Sequence, residues 1–106
     1  METVEVIKDQ ISNNDILLYM KGTPQFPQCG FSSRAVEALM TIGKPFAYVN
    51  ILENPDIRSE LPKYANWPTF PQLWVKGELI GGSDIILEMS QSGELKPLIE
   101  EAAPEA

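Results

Sequence analysis

Ile16-Leu17-Leu18-Tyr19-Met20, then Lys21-Gly22-Thr23-Pro24-Gln25-Phe26-Pro27-Gln28-Cys29, and further on Phe46-Ala47-Tyr48-Val49-Asn50-Ile51, frame one unit of the chain. The first five residues are an unbroken apolar run bounded by polar ones, the pattern of a strand buried on both faces of an α/β sheet. Residues 22–28 hold two prolines and one glycine and so read as a loop that delivers the chain to Cys29. Phe31, Ala35, Ala38, Leu39 and Ile42 then fall on one helical face, and Gly43 followed by Lys44-Pro45 stops the helix. Phe46–Ile51 reads as a second buried strand. Strand, helix and strand in this order predict a parallel pair joined by a right-handed crossover.

Working outward, Val4, Ile7 and Ile11 recur at helical spacing until Asn13-Asn14 breaks the pattern. On the other side Asn54-Pro55 is a helix start, with Ile57, Leu61 and Tyr64 at helical spacing and Pro62 expected to kink or shorten the helix. Gln72–Val75 and Glu78–Ile80 flank Lys76-Gly77, a two-residue hairpin turn that adds an antiparallel pair. Ser83, after Gly81-Gly82, is a candidate N-cap for a helix carrying Ile85, Ile86 and Met89 and ended by Gly93. Leu95, Leu98 and Ile99 suggest a last helix, and the acidic stretch from Glu100 to Ala106 reads as a frayed tail. With no repeat, low-complexity block or linker, residues 1–106 are expected to form a single α/β layer domain.

Composition removes several classes of function. At 106 residues, with 43% hydrophobic and 22% charged positions, the chain has room for one real core and lies far from the disordered corner of composition. Eight Lys and Arg against 15 Asp and Glu give a formal charge of −7, which repels nucleic acid and anionic lipid, so neither is an expected partner. With no histidine there is no Ser-His or Cys-His dyad and no two-histidine metal centre. The single cysteine excludes an internal disulfide and fits a reducing compartment. The N-terminus, Met1-Glu2-Thr3-Val4-Glu5, is acidic where a targeting peptide would be basic, and no apolar run approaches the roughly 20 residues of a membrane span. The expected location is cytoplasmic.

Several residues are candidates for chemistry. Cys29 sits where a loop meets a helix, so free backbone N–H groups and the helix dipole favour its thiolate; the alternative for a lone cysteine is a small buried hydrophobe. Three residues later, where a C-x-x-C redox motif would place a second sulfur, stands Ser32, so any disulfide made by Cys29 goes to another molecule. Lys21 can hold an anion or lower the thiol pKa, and Arg58 can meet a carboxylate, although each also reads as a solvated surface cation. Trp67-Pro68-Thr69-Phe70-Pro71 is an unusual loop. A cis bond before Pro71 would turn the Phe70 backbone outward for a peptide-like ligand, and a rigid turn capping the core is its alternative. Gly81-Gly82-Ser83-Asp84 opens a helix whose N–H groups can bind a small carboxylate, or can simply be capped.

Together, Lys21-Gly22-Thr23-Pro24, Pro27, Cys29-Gly30-Phe31-Ser32, Trp67-Pro68-Thr69-Phe70-Pro71-Gln72 and Gly81-Gly82-Ser83-Asp84 resemble the monothiol glutaredoxins of the Cys-Gly-Phe-Ser class, in particular their short single-domain bacterial members. The resemblance covers almost the whole chain. It implies a thioredoxin-like fold, a four-stranded mixed sheet with helices on both faces, and a groove that binds glutathione beside Cys29. By the same resemblance Lys21 and Arg58 meet the glycine-end carboxylate, the Phe70 backbone pairs with the cysteinyl peptide unit, and Ser83 and Asp84 hold the γ-glutamyl end. Ser83 departs from the many relatives that carry a second cysteine there, so no thiol chemistry transfers to that position.

What the resemblance implies about activity divides in two. In one reading the protein carries a [2Fe–2S] cluster, with Cys29 as its metal ligand. Such a cluster wants four ligands, usually thiolates, and two chains with two glutathiones supply them in a homodimer. In the other, Cys29 is the catalytic thiol of a glutathione-dependent oxidoreductase, slowed by the missing second cysteine and the long loop before it. A third role, as an adaptor, would use the same surface. The implied partners are a second copy of the chain, a BolA-type protein and apo iron–sulfur clients.

Overall fold

The computed structural model describes residues 2–103. Helix α1 (Thr3–Asn13) leads into β1 (Ile16–Met20), then α2 (Gly30–Ile42), β2 (Ala47–Asn50), α3 (Pro55–Ala65), β3 (Gln72–Val75), β4 (Glu78–Gly81), α4 (Ser83–Ser92) and α5 (Leu95–Ala102). The four strands lie in the order β2-β1-β3-β4. β1 and β2 are parallel, with Leu18 opposite Tyr48, while β1–β3 and β3–β4 are antiparallel. The result is the thioredoxin-like, mixed-sheet architecture that the sequence motifs imply.

Alternation along β1 explains why its five residues are all apolar. Ile16, Leu18 and Met20 pack into a layer with Ala35, Leu39, Ile86, Leu95 and Ile99 from α2, α4 and α5. Leu17 and Tyr19 point the other way, against Ile7, Ile11, Ile57 and Leu61 from α1 and α3. Helices therefore cover both faces of the sheet, and the central strand needs no polar face. Between β3 and β4, Lys76 and Gly77 both take positive φ, 52° and 81°, as a primed two-residue turn requires. Trp74 pairs with Leu79 and Leu73 with Gly81, so Ile80 is the extra residue of a bulge.

The structure corrects five expectations. The apolar pattern predicts a buried second strand, but β2 is an edge strand, shorter by Phe46 and Ile51, and its Tyr48 is 43% exposed, because only one side of it has a neighbour in the sheet. Pro62 does not shorten α3, which continues to Ala65 and ends at Asn66 in the left-handed region. Ser83 is not the N-cap of α4: Gly82 holds that place and Ser83 is the first helical residue. Phe31 does not belong to the core face of α2; it is 55% exposed, and the buried position in that turn is Ser32. Helix α5 runs through Glu100 and Glu101 to a buried Ala102, so fraying does not begin at Glu100, and Pro104–Ala106 lie outside the described residues.

Candidate active site

Cys29 is the N-cap residue of α2, in extended backbone geometry, and its sulfur accepts the Ser32 backbone N–H at 3.5 Å. The loop that brings it there is folded on itself. Thr23 and Phe26 exchange backbone hydrogen bonds, and the Gln28 N–H donates to the Lys21 carbonyl at 2.9 Å, which returns the chain to the end of β1. Gly22 makes this possible, since its φ is +94° and a Cβ would lie 2.5 Å from the Phe26 carbonyl oxygen. Asn50 at the end of β2 pins the loop, its side-chain oxygen accepting N–H groups from Gly22 and Leu52 at 2.9 and 3.0 Å.

Opposing effects act on the Cys29 thiol. Partial burial pushes its pKa up, but the Ser32 backbone N–H and hydroxyl, the Phe31 N–H and the Lys21 charge together outweigh burial and hold it below the ordinary thiol range. Ser32 itself is fully buried, and its oxygen also accepts the Lys21 backbone N–H at 3.0 Å. The hydroxyl thus links the end of β1 to the first turn of α2 beside the sulfur.

Next to the cysteine runs a groove of about 550 Å³ whose walls include Lys21, Arg58, Phe70, Ser83 and Asp84, the five residues expected to meet glutathione. Cys29 is not among the lining residues; it is the N-cap residue two positions before Phe31, which lies in the wall, and it feels the charge of Lys21, which also lies in the wall. The ion pairs among the described residues are Lys63–Glu60 and Lys76–Asp15, which leaves Lys21 and Arg58 without a carboxylate partner. Two buried polar atoms of groove residues, Trp67 Nε1 and Ser83 Oγ, have no hydrogen-bond partner among the described residues. The Phe70–Pro71 bond is cis.

Three contributors escape a reading of the sequence. Phe31 has the spacing of a core residue and is a groove wall. Asn50 looks like one more strand residue. Gln72 stands only at the end of a motif, yet it is fully buried, donates to the carbonyls of Trp67 and Thr69 at 3.1 and 3.3 Å, and accepts the Trp74 indole N–H at 3.1 Å. The available signal is a lone amide at the head of an apolar strand.

Residues 16–80, from the start of β1 to within β4, match the family model described as Glutaredoxin. The chain belongs to the glutaredoxin family. Glutaredoxin 4 of Haemophilus ducreyi is 71% identical over 103 residues, covering 97% of this chain and 96% of that protein. Glutaredoxin 4 of Escherichia coli K12 is 67% identical over 101 residues, or 95% and 88% of the two chains. Among solved structures, the reduced apo form of poplar GrxS14 superposes with a TM-score of 0.79 at 45% identity, covering 93% of this chain and 91% of that one. With Cys29-Gly30-Phe31-Ser32 as its motif and no other cysteine, this glutaredoxin is a monothiol member of the Cys-Gly-Phe-Ser class.

Proposed function

We propose that this glutaredoxin binds glutathione in the groove and uses it, with Cys29, to carry a [2Fe–2S] cluster between two protomers in the cytoplasm, receiving clusters and handing them to apo iron–sulfur proteins. The observation that carries the reading is a groove that holds two cations and two buried polar atoms without partners among the described residues, with the one cysteine at the N-cap of α2, two positions before Phe31 in the groove wall. Such a groove suits a small ligand with a carboxylate at each end and a peptide-like middle. In this reading Lys21 and Arg58 meet the glycine-end carboxylate, the Phe70 backbone meets the cysteinyl peptide unit, and Ser83 with Asp84 meets the γ-glutamyl end, whose carboxylate the α4 N-terminus favours and whose ammonium group the Asp84 side chain favours; their convergence on one groove supports it. At contact distance these local charges outweigh the net −7 of the chain.

Sulfur counting supports the cargo. Among the described residues no three His, Cys, Asp or Glu side chains stand together as a metal site. A cluster that wants four ligands can be completed by one thiolate from each of two chains and one from each of two glutathiones. Exchangeable ligands make the cluster labile, which suits a carrier. A BolA-type protein could replace one protomer at the same surface.

The lowered thiol pKa favours a second reading, a glutathione-dependent oxidoreductase. The Cys29 thiolate would attack the glutathione sulfur of a mixed disulfide, releasing the client thiolate and forming a Cys29–glutathione disulfide. A second glutathione thiolate would then attack that disulfide, release oxidised glutathione and restore Cys29. The test is an absorbance spectrum with iron, sulfide and glutathione assays on protein purified without oxygen, beside Cys29→Ser. About one cluster and two glutathiones per dimer, lost in the variant, is the expected result. Colourless, iron-free wild type that binds glutathione would make the oxidoreductase the better reading.

A further inference from the structure

The groove wall formed by Trp67, Pro68, Thr69 and Phe70 lies between α3 and β3, and the fully buried side chain that holds it is Gln72. The chemistry of its neighbours fixes how that side chain must stand. The Trp74 indole can only donate, and the carbonyls of Trp67 and Thr69 can only accept. A group that satisfies all three must present an acceptor on one side and N–H donors on the other, and a primary amide of this length does so in one orientation. A carboxylate would answer the indole but set its lone pairs against two carbonyls. An apolar side chain would leave the buried indole N–H unpaired and release both carbonyls. The indole is itself held, being nearly buried and packed at 6.4 Å between ring centroids from Tyr64.

We propose that Gln72 is the positioning residue of the glutathione groove: its amide, oriented by Trp74, holds the Trp67 and Thr69 carbonyls, so that the short span from Thr69 back to Gln72 is fixed at both ends and presents the Phe70 backbone in register with a peptide unit of the ligand. It deepens the reading of the groove as a glutathione site and rests on that reading for the ligand's identity. Gln72 itself is fully buried, so it acts on the ligand through the loop, and Cys29 on α2 lies outside its hydrogen-bond network.

The experiment compares wild type with Gln72→Leu and Gln72→Glu in three measurements on the reduced full chain. These are glutathione affinity by calorimetry, the rate of Cys29 alkylation by iodoacetamide at fixed pH, and backbone hydrogen exchange over residues 67–71. Expected are an affinity lower by about tenfold in both variants, faster exchange confined to that loop, and an unchanged alkylation rate. Wild-type affinity in the variants overturns the proposal, and so does an alkylation rate that falls in parallel, which would mark general loosening. Should wild type itself fail to bind glutathione, the ligand reading falls, and unchanged loop exchange in the variants would separately overturn the positioning role. Where both variants fail to fold, Trp74→Phe removes the donor that orients the amide, and the alkylation rate reads whether the smaller ring loosens the core. A weaker affinity with wild-type alkylation is then the expected result, and wild-type affinity overturns the proposal.

Discussion

At Cys29 the decisive quantity is the balance between partial burial, which raises the thiol pKa, and the Ser32 and Phe31 donors with the Lys21 charge, which lower it and win. The thiolate therefore persists to lower pH than in a free cysteine of pKa about 8.5, and the alkylation rate plotted against pH should have its midpoint displaced downward. Ser32→Ala, which removes one donor but keeps the backbone N–H, should move that midpoint back up while leaving the plateau rate at high pH unchanged. A midpoint indistinguishable from wild type would show that the backbone donors suffice. Gly22 matters for a different reason. Its positive φ, and the 2.5 Å that would separate a Cβ at this position from the Phe26 carbonyl oxygen, leave no room for alanine, so Gly22→Ala should cost roughly 1–3 kcal/mol in denaturant unfolding. Its glutathione affinity should fall as well, because Lys21 is the adjacent residue.

Elements that depend on local pattern are legible in the sequence, and groups that depend on tertiary neighbours are not. β1 and α2 can be read because continuous apolarity and helical spacing with a glycine stop are properties of consecutive residues. The burial of β2 cannot be read, since Tyr48 and Val49 look alike until the strand order puts them at an edge. Phe31 satisfies the helical period, but the first turn of α2 turns its ring to the groove and Ser32 inward. Lys21, Arg58, Phe70, Ser83 and Asp84 are legible through their motifs and do converge on one groove, whereas Asn50 and Gln72 are ordinary polar residues until their partners are known. Asn50→Ala tests that kind of residue. It removes the acceptor for both the Gly22 and Leu52 N–H groups, so a loss of about 1–3 kcal/mol is expected, with faster hydrogen exchange at Gly22. Equal exchange in both proteins would mean that the Gln28–Lys21 backbone bond holds the loop unaided.

For the whole molecule, the charge distribution sets how the proposed cluster-bridged dimer should respond to salt. Each chain carries −7, and the bridging cluster and two glutathiones add further negative charge, so association must overcome long-range repulsion between two acidic bodies. That repulsion acts over a distance comparable with the Debye length, which shrinks from about 30 Å at 0.01 M to about 8 Å at 0.15 M. The attraction of Lys21 and Arg58 for a carboxylate acts at contact and is screened much less. Raising ionic strength over this range should therefore increase the dimer fraction of cluster-loaded protein while the ratio of glutathione to cluster stays constant. Sedimentation velocity with parallel glutathione assays reads both quantities. A dimer that weakens with salt would mean that association rests on opposite charges meeting across the interface, and a falling glutathione ratio would mean that the groove cations hold the ligand by long-range attraction rather than by contact. Lys21→Ala with Arg58→Ala separates the two effects, because it removes contact cations from the groove. Glutathione affinity should then drop by about tenfold or more, while the salt response of any dimer that still forms keeps its sign.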